Sequence, residues 1–122
     1  MPPTGLAFVG DAVYTLFIRR RIATRTDHTT GTLHTIASRY VSAKAQAKVF
    51  DGLVLSGAFT EEEADVARRA KNAHLHSRAK GATPEDYHKA TALEAVIGYL
   101  DIKGDDQRLE YLLELCYKLS DS

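Results

Sequence analysis

Two stretches decide the fold: Gly5–Ile18, GLAFVGDAVYTLFI, and Ala90–Leu100, ATALEAVIGYL. Each holds a single charge, Asp11 in the first and Glu94 in the second. Neither alternates with period two, and both are too apolar for a helix with one wide wet face. They read as helices that pack on several sides, with each acid in or beside the core. An isolated buried carboxylate is costly unless it is paired, protonated or bound to a cation. Gly10 and Gly98 lie within about one turn of the acids. Glycine inside a helix costs about 1 kcal/mol relative to alanine, so these two point to close helix contact or ligand approach.

Helix signals continue on both sides of these stretches. The first helix runs from about Gly5 to Thr24 and carries Arg19-Arg20-Arg21 toward the negative end of its dipole. A polar loop, Thr24 to Gly31, follows. From Thr32 to about Leu55 apolar residues including Leu33, Ile36, Ala37, Tyr40, Val41, Ala47, Val49 and Leu53 keep helical spacing, and Gly57 closes the segment. Thr60-Glu61-Glu62-Glu63 is a capping box that opens a helix to about Lys71. Asn72 to Ala82 reads as a basic, histidine-containing loop. Thr83-Pro84 starts the next helix, which stops at Lys103-Gly104, and Asp105 to Leu119 forms the last. The fold class is therefore all-α, with five or more helices.

A length of 122 residues gives room for one domain, here residues 1–122, with one core. The composition, 44% hydrophobic and 26% charged, is that of globular chains and excludes disordered or collagen-like classes. Gly5–Ile18 is too short for a membrane span, no secretory pattern marks the start, and the lone Cys116 excludes an internal disulfide. The expectation is a soluble, cytoplasmic protein. Sixteen basic and sixteen acidic residues cancel, yet residues 1–50 carry seven Lys/Arg against two acids. Folding turns such an imbalance either into a basic face for a polyanion or into ordinary solvated helix surface.

Asp11 alone reads equally as a solvent-facing acid, and Glu94 as the partner of a nearby arginine. The pair, each between small neighbours, raises a third possibility. Two carboxylates converging from separate helices suit a hard divalent cation and metal-assisted phosphodiester hydrolysis. The histidines do not form a zinc pattern, there being no nearby cysteine and no helical spacing of four among them.

At these residues the chain resembles the ribonuclease III catalytic domain. Leu6, Phe8, Gly10 and Asp11 match its leucine-phenylalanine-Gly-Asp signature, and Glu94-Ala95-Val96-Ile97-Gly98 matches its second block. The compact Mini-III branch is more similar still: Gly10-Asp11-Ala12-Val13-Tyr14 with Arg19, Val41-Ser42-Ala43-Lys44 before Gln46-Ala47, Arg68-Arg69-Ala70-Lys71-Asn72-Ala73, and Thr91-Ala92-Leu93-Glu94 follow its order. The resemblance spans nearly the whole chain. It implies an all-helical homodimer that cuts double-stranded RNA with Mg²⁺, Mn²⁺ being able to substitute, and leaves 5′-phosphate and 3′-hydroxyl ends. Asp11 and Glu94 would be the catalytic, metal-holding residues. The substrate implied is the precursor of bacterial large-subunit (23S) ribosomal RNA, with a ribosomal protein as a possible shaping partner. No separate double-stranded-RNA-binding domain is expected.

The chain departs from the full-length family where that family has further acids; Thr4, Ala7 and Thr91 stand there instead. Fewer carboxylates imply more water ligands and weaker metal binding. Duplex RNA is read mainly by shape, through phosphates and 2′-hydroxyls. Arg68, Arg69, Lys71, Asn72, Arg78 and Lys80 cluster around the loop before the Glu94 helix and are the expected RNA contacts, with Lys44 and Lys48 beside them. Two other readings compete. One is a catalytically silent helical protein that binds duplex RNA or assists ribosome assembly. The other is an all-α nucleotide pyrophosphohydrolase, whose Glu-x-x-Glu spacing is missing near Asp11 and Glu94.

Overall fold

The computed structural model describes residues 1–25, 27–73 and 82–121. Among them lie six α-helices and no strand: α1 (Pro3–Arg25), α2 (Thr30–Val41), α3 (Ala43–Leu55), α4 (Glu61–Lys71), α5 (Pro84–Lys103) and α6 (Asp106–Ser120). The hub is α5, on which α1, α3, α4 and α6 all pack. Its residues Ala90–Leu93, Ala95–Gly98 and Leu100 are buried, as an all-round apolar helix requires. Thr83 caps its start by accepting from the Asp86 N–H, Pro84 occupies the first turn, and Gly104, with φ of 82°, ends it in the left-handed conformation. The core between the helices is built from Tyr14, Ile18, Val49, Leu53, Leu93, Ile97, Leu112 and Cys116.

Two expectations need correction. The helical spacing from Thr32 to Leu55 is not one helix but two, because Ser42 is extended, with φ −64° and ψ 154°. Its N–H donates to the Ser38 carbonyl and closes α2, while its hydroxyl accepts from the Ala45 N–H and opens α3. The apolar rhythm survives the break because both short helices pack on the same core. The second correction concerns α1. It buries Leu6, Ala7, Gly10, Tyr14, Ile18 and Ile22 along one face. On the other side Phe8 is 83% and Leu16 50% exposed, and Asp11 shares that exposure. Among the described residues, packing on several sides holds for α5 and not for α1.

The capping box at Thr60 forms as expected: Glu63 N–H donates to the Thr60 hydroxyl at 3.1 Å, and Thr60 N–H to Glu63 Oε1 at 3.1 Å. The Glu63 carboxylate does more than cap. It is 2% exposed and accepts two hydrogen bonds from Arg108, each at 2.8 Å, while Arg108 also donates to the Ala58 carbonyl at 2.6 Å. This buried ion pair ties α6 to α4 and to the turn before it. No helix among the described residues is long and apolar enough to cross a membrane.

Candidate active site

Asp11 and Glu94 come together where α1 crosses α5. The crossing is unusually close, and glycine makes it so. A Cβ on Gly10 would stand 1.7 Å from the Glu94 carbonyl oxygen and 2.9 Å from the Gly98 nitrogen. One on Gly98 would stand 1.9 Å from the Leu6 carbonyl oxygen. Backbone therefore rests on backbone, and any larger residue at either position would separate the helices. This contact accounts for the two helix-interior glycines that the sequence makes conspicuous.

Beside the crossing opens a cavity of about 360 Å³. Thr4, Ala7, Phe8 and Asp11 of α1 line one wall, and Tyr87, Ala90, Thr91 and Glu94 of α5 another. Both sets follow i, i+3, i+4, i+7 spacing, so each is a single helix face. Val41, Ala43 and Gln46, from the end of α2 and the start of α3, complete the lining. Thr4, Ala7 and Thr91 face this cavity and bring no charge to it. The carboxylates within it are thus Asp11, exposed at the mouth, and Glu94, half-buried in the wall.

The two acids interact directly. Burial, and then the hydrogen bond and negative charge of Asp11, push the Glu94 carboxyl up to about 9, while a hydrogen bond from Gln46 opposes the shift. That shift favours the protonated form of Glu94 at neutral pH. A divalent cation would take the place of that proton. The donors available suit a hard ion: both are carboxylate oxygens, and no cluster of three or more His, Cys, Asp or Glu occurs among the described residues. An ion held by so few protein ligands keeps most of its water, as Mg²⁺ tolerates and structural zinc does not.

The expected RNA contacts are placed less uniformly. Arg68 and Arg69 are exposed on α4, and both pair with Asp65. Lys71 pairs with Glu85 of α5 at 3.2 Å, and Asn72 caps the end of α4. Lys71 and Asn72 line a separate cavity with Ala73, Glu85 and His88. Lys44 is exposed in the first turn of α3, next to Ala43 of the acidic cavity. Arg78, Lys80, His74 and His76 lie outside the described residues. Exposed ion pairs of this kind are worth little, about 0 to 1 kcal/mol. Sequence reasoning missed Gln46 and Tyr87 as site residues. The signal for Gln46 was present: a carboxamide among Ala47, Val49 and Phe50 on the buried face of a helix.

Comparison with known proteins identifies the family. The Ribonuclease III domain family matches residues 4–105. The chain is 42% identical over 114 residues to a Mini-ribonuclease 3 of Symbiobacterium thermophilum, covering 93% of this chain and 86% of that one. It is 40% identical over 111 residues to the Mini-ribonuclease 3 of Staphylococcus aureus, covering 91% and 83%. Its fold superposes on the crystal structure of a Fusobacterium nucleatum protein with a TM-score of 0.84 at 28% identity, covering 97% of this chain and 93% of that one. The chain therefore belongs to the ribonuclease III family, in its Mini-ribonuclease III branch.

Proposed function

We propose that this ribonuclease III-type endoribonuclease hydrolyses double-stranded RNA with Mg²⁺, Mn²⁺ being able to substitute, as a cytoplasmic homodimer that matures the 23S ribosomal RNA precursor. The observation that carries this reading is the convergence of Asp11 and Glu94 on one cavity at a glycine-mediated helix crossing. Those two carboxylates would hold the cation, and through it orient the attacking water. When bound, Mg²⁺ supplies polarisation of the scissile phosphate and a lowered pKa for that water. Asp11, at the exposed mouth, would meet the ion and the phosphate that arrives with the RNA. Glu94, deeper, must first release its proton.

Support for the homodimer lies on α1. Phe8, Ala12 and Leu16 are exposed at i, i+4 and i+8, an apolar strip on the same helix as Asp11. A second copy on this strip would set two acidic cavities near one another, one for each strand of a duplex. Arg68, Arg69, Lys71, Asn72 and Lys44, with Arg78 and Lys80, would grip the phosphates. A ribosomal protein that shapes the precursor fits the same scheme as a further partner.

The test is cleavage of a long RNA duplex by wild type and Glu94→Gln, each with Mg²⁺ and with chelator. Cutting that needs Mg²⁺ and vanishes in the variant, while duplex binding survives, supports the proposal. Duplex binding without cutting by the wild type on its natural precursor would instead favour a silent RNA-binding protein.

A further inference from the structure

Gln46 is the buried polar side chain of the cavity that neither the fold nor the two-carboxylate scheme explains. It is 2% exposed, in the second turn of α3, between Ala47 and the core residues Val49 and Phe50. A carboxamide buried without a partner costs about 1–3 kcal/mol, so an apolar residue would serve packing better. The partner it finds is Glu94: Gln46 Nε2 donates to Glu94 Oε2 at 3.5 Å, across two helices and 48 residues of sequence. In this orientation the amide serves an ionised, cation-bound Glu94, whose charge its carbonyl oxygen would repel.

The neighbours give the contact its meaning. Thr4, Ala7 and Thr91 face the same cavity and bring no charge, so a cation there relies on Asp11 and Glu94 alone. A half-buried glutamate with three rotatable bonds offers its oxygens in many directions, and few ligands remain to compensate for a poor one. We propose that Gln46 is a positioning residue of the metal site: its carboxamide holds one Glu94 oxygen so that the other is presented to a divalent cation shared with Asp11. An ionised, cation-bound carboxylate accepts more strongly than a neutral one, so cation binding would strengthen this contact. Gln46 touches neither RNA nor the reacting atoms in this role. The inference rests on the metal-dependent reading above.

Partners of this kind, hydrogen-bonded to metal ligands, change metal affinity by about 10- to 100-fold when removed. Gln46→Met keeps the length and apolar stem of the side chain and removes the donor. Three readings are needed: the melting temperature in chelator, the Mg²⁺ concentration that gives half of the Mg²⁺-induced rise in melting temperature, and the cleavage rate at saturating Mg²⁺. The proposal expects Gln46→Met to melt within a few degrees of wild type in chelator and to require about 10-fold more Mg²⁺. It also expects no further change when Gln46→Met is added to Glu94→Gln, because the two act as one unit. A variant that melts lower in chelator but keeps the wild-type Mg²⁺ midpoint overturns the positioning role and leaves Gln46 as packing. So does an equal loss in the wild-type and Glu94→Gln backgrounds. If wild type cuts duplex RNA with Mg²⁺ in these experiments, only the role of Gln46 has failed. A wild type that neither cuts nor is stabilised by Mg²⁺ overturns the nuclease reading and this inference with it.

Discussion

Replacing Gly98 by alanine adds a single methyl group, yet it strikes the contact on which the site depends. Its Cβ would lie 1.9 Å from the Leu6 carbonyl oxygen and 2.9 Å from the Gly10 nitrogen, both backbone atoms of α1. Ordinary contact begins at 3.4 Å, so α1 must retreat by about 1.5 Å at this point. No flexible side chain can yield in its place. Overpacking of this kind costs about 1–3 kcal/mol, and backbone against backbone belongs at the upper end. The better helix propensity of alanine returns about 1 kcal/mol, leaving a net loss near 2 kcal/mol. In a domain of this size that lowers Tm by roughly 8 °C. The functional loss should be larger than the structural one. Asp11 rides on α1 and Glu94 on α5, and misplacing reacting groups by about 1 Å costs about 100-fold in rate. The assay pairs thermal melting with duplex cleavage at saturating Mg²⁺. Gly31→Ala serves as the control, because a Cβ there meets nothing within 4 Å and should leave stability equal or slightly higher. A Gly98→Ala protein that melts and cuts like wild type would refute the argument that this crossing sets the carboxylate geometry.

Other expected outcomes follow from the electrostatics. Glu94 titrates higher in the folded than in the unfolded chain, so folding keeps a proton that the unfolded state gives up; in chelator, stability should fall as pH rises from about 4.5 toward about 9. Chemical denaturation at pH 6 and pH 8.5 checks this, and Glu94→Gln should flatten the slope. Arg108→Met strands the buried Glu63 carboxylate and should cost about 3–5 kcal/mol by urea melting, with the Mg²⁺ midpoint unchanged in whatever fraction remains folded. Arg68→Ala and Arg69→Ala should each weaken duplex binding and flatten the dependence of log K on log salt by about one phosphate contact, measured by binding across a salt series in Ca²⁺.

Much of the architecture was legible because helix ends are local events. The capping box at Thr60, the Thr83-Pro84 start and the glycine stop at Gly104 each depend on a few adjacent residues. Ser42 misled for the same reason: a serine cap without an acidic box is a weak signal, and the apolar rhythm ran straight through it. The two acids stood out as lone charges in apolar helices, and both do face one cavity. Asp11 is exposed beside Phe8 and Leu16, on an apolar side of α1 that the described residues leave open. An apolar residue looks the same in sequence whether it faces a core or an open surface. Gln46 is conspicuous as a carboxamide among apolar neighbours, but its partner is 48 residues away and no local pattern encodes that pairing.

The most direct test of the central claim is calorimetric titration of Mg²⁺ into wild type, Asp11→Asn and Glu94→Gln at neutral pH in buffers of differing ionisation heat. If Asp11 and Glu94 hold one cation together, wild type binds Mg²⁺ with release of about one proton, the one that Glu94 retains without metal. Both variants then lose that binding. Mg²⁺ uptake that persists in either variant, or that releases no proton in wild type, would contradict the account.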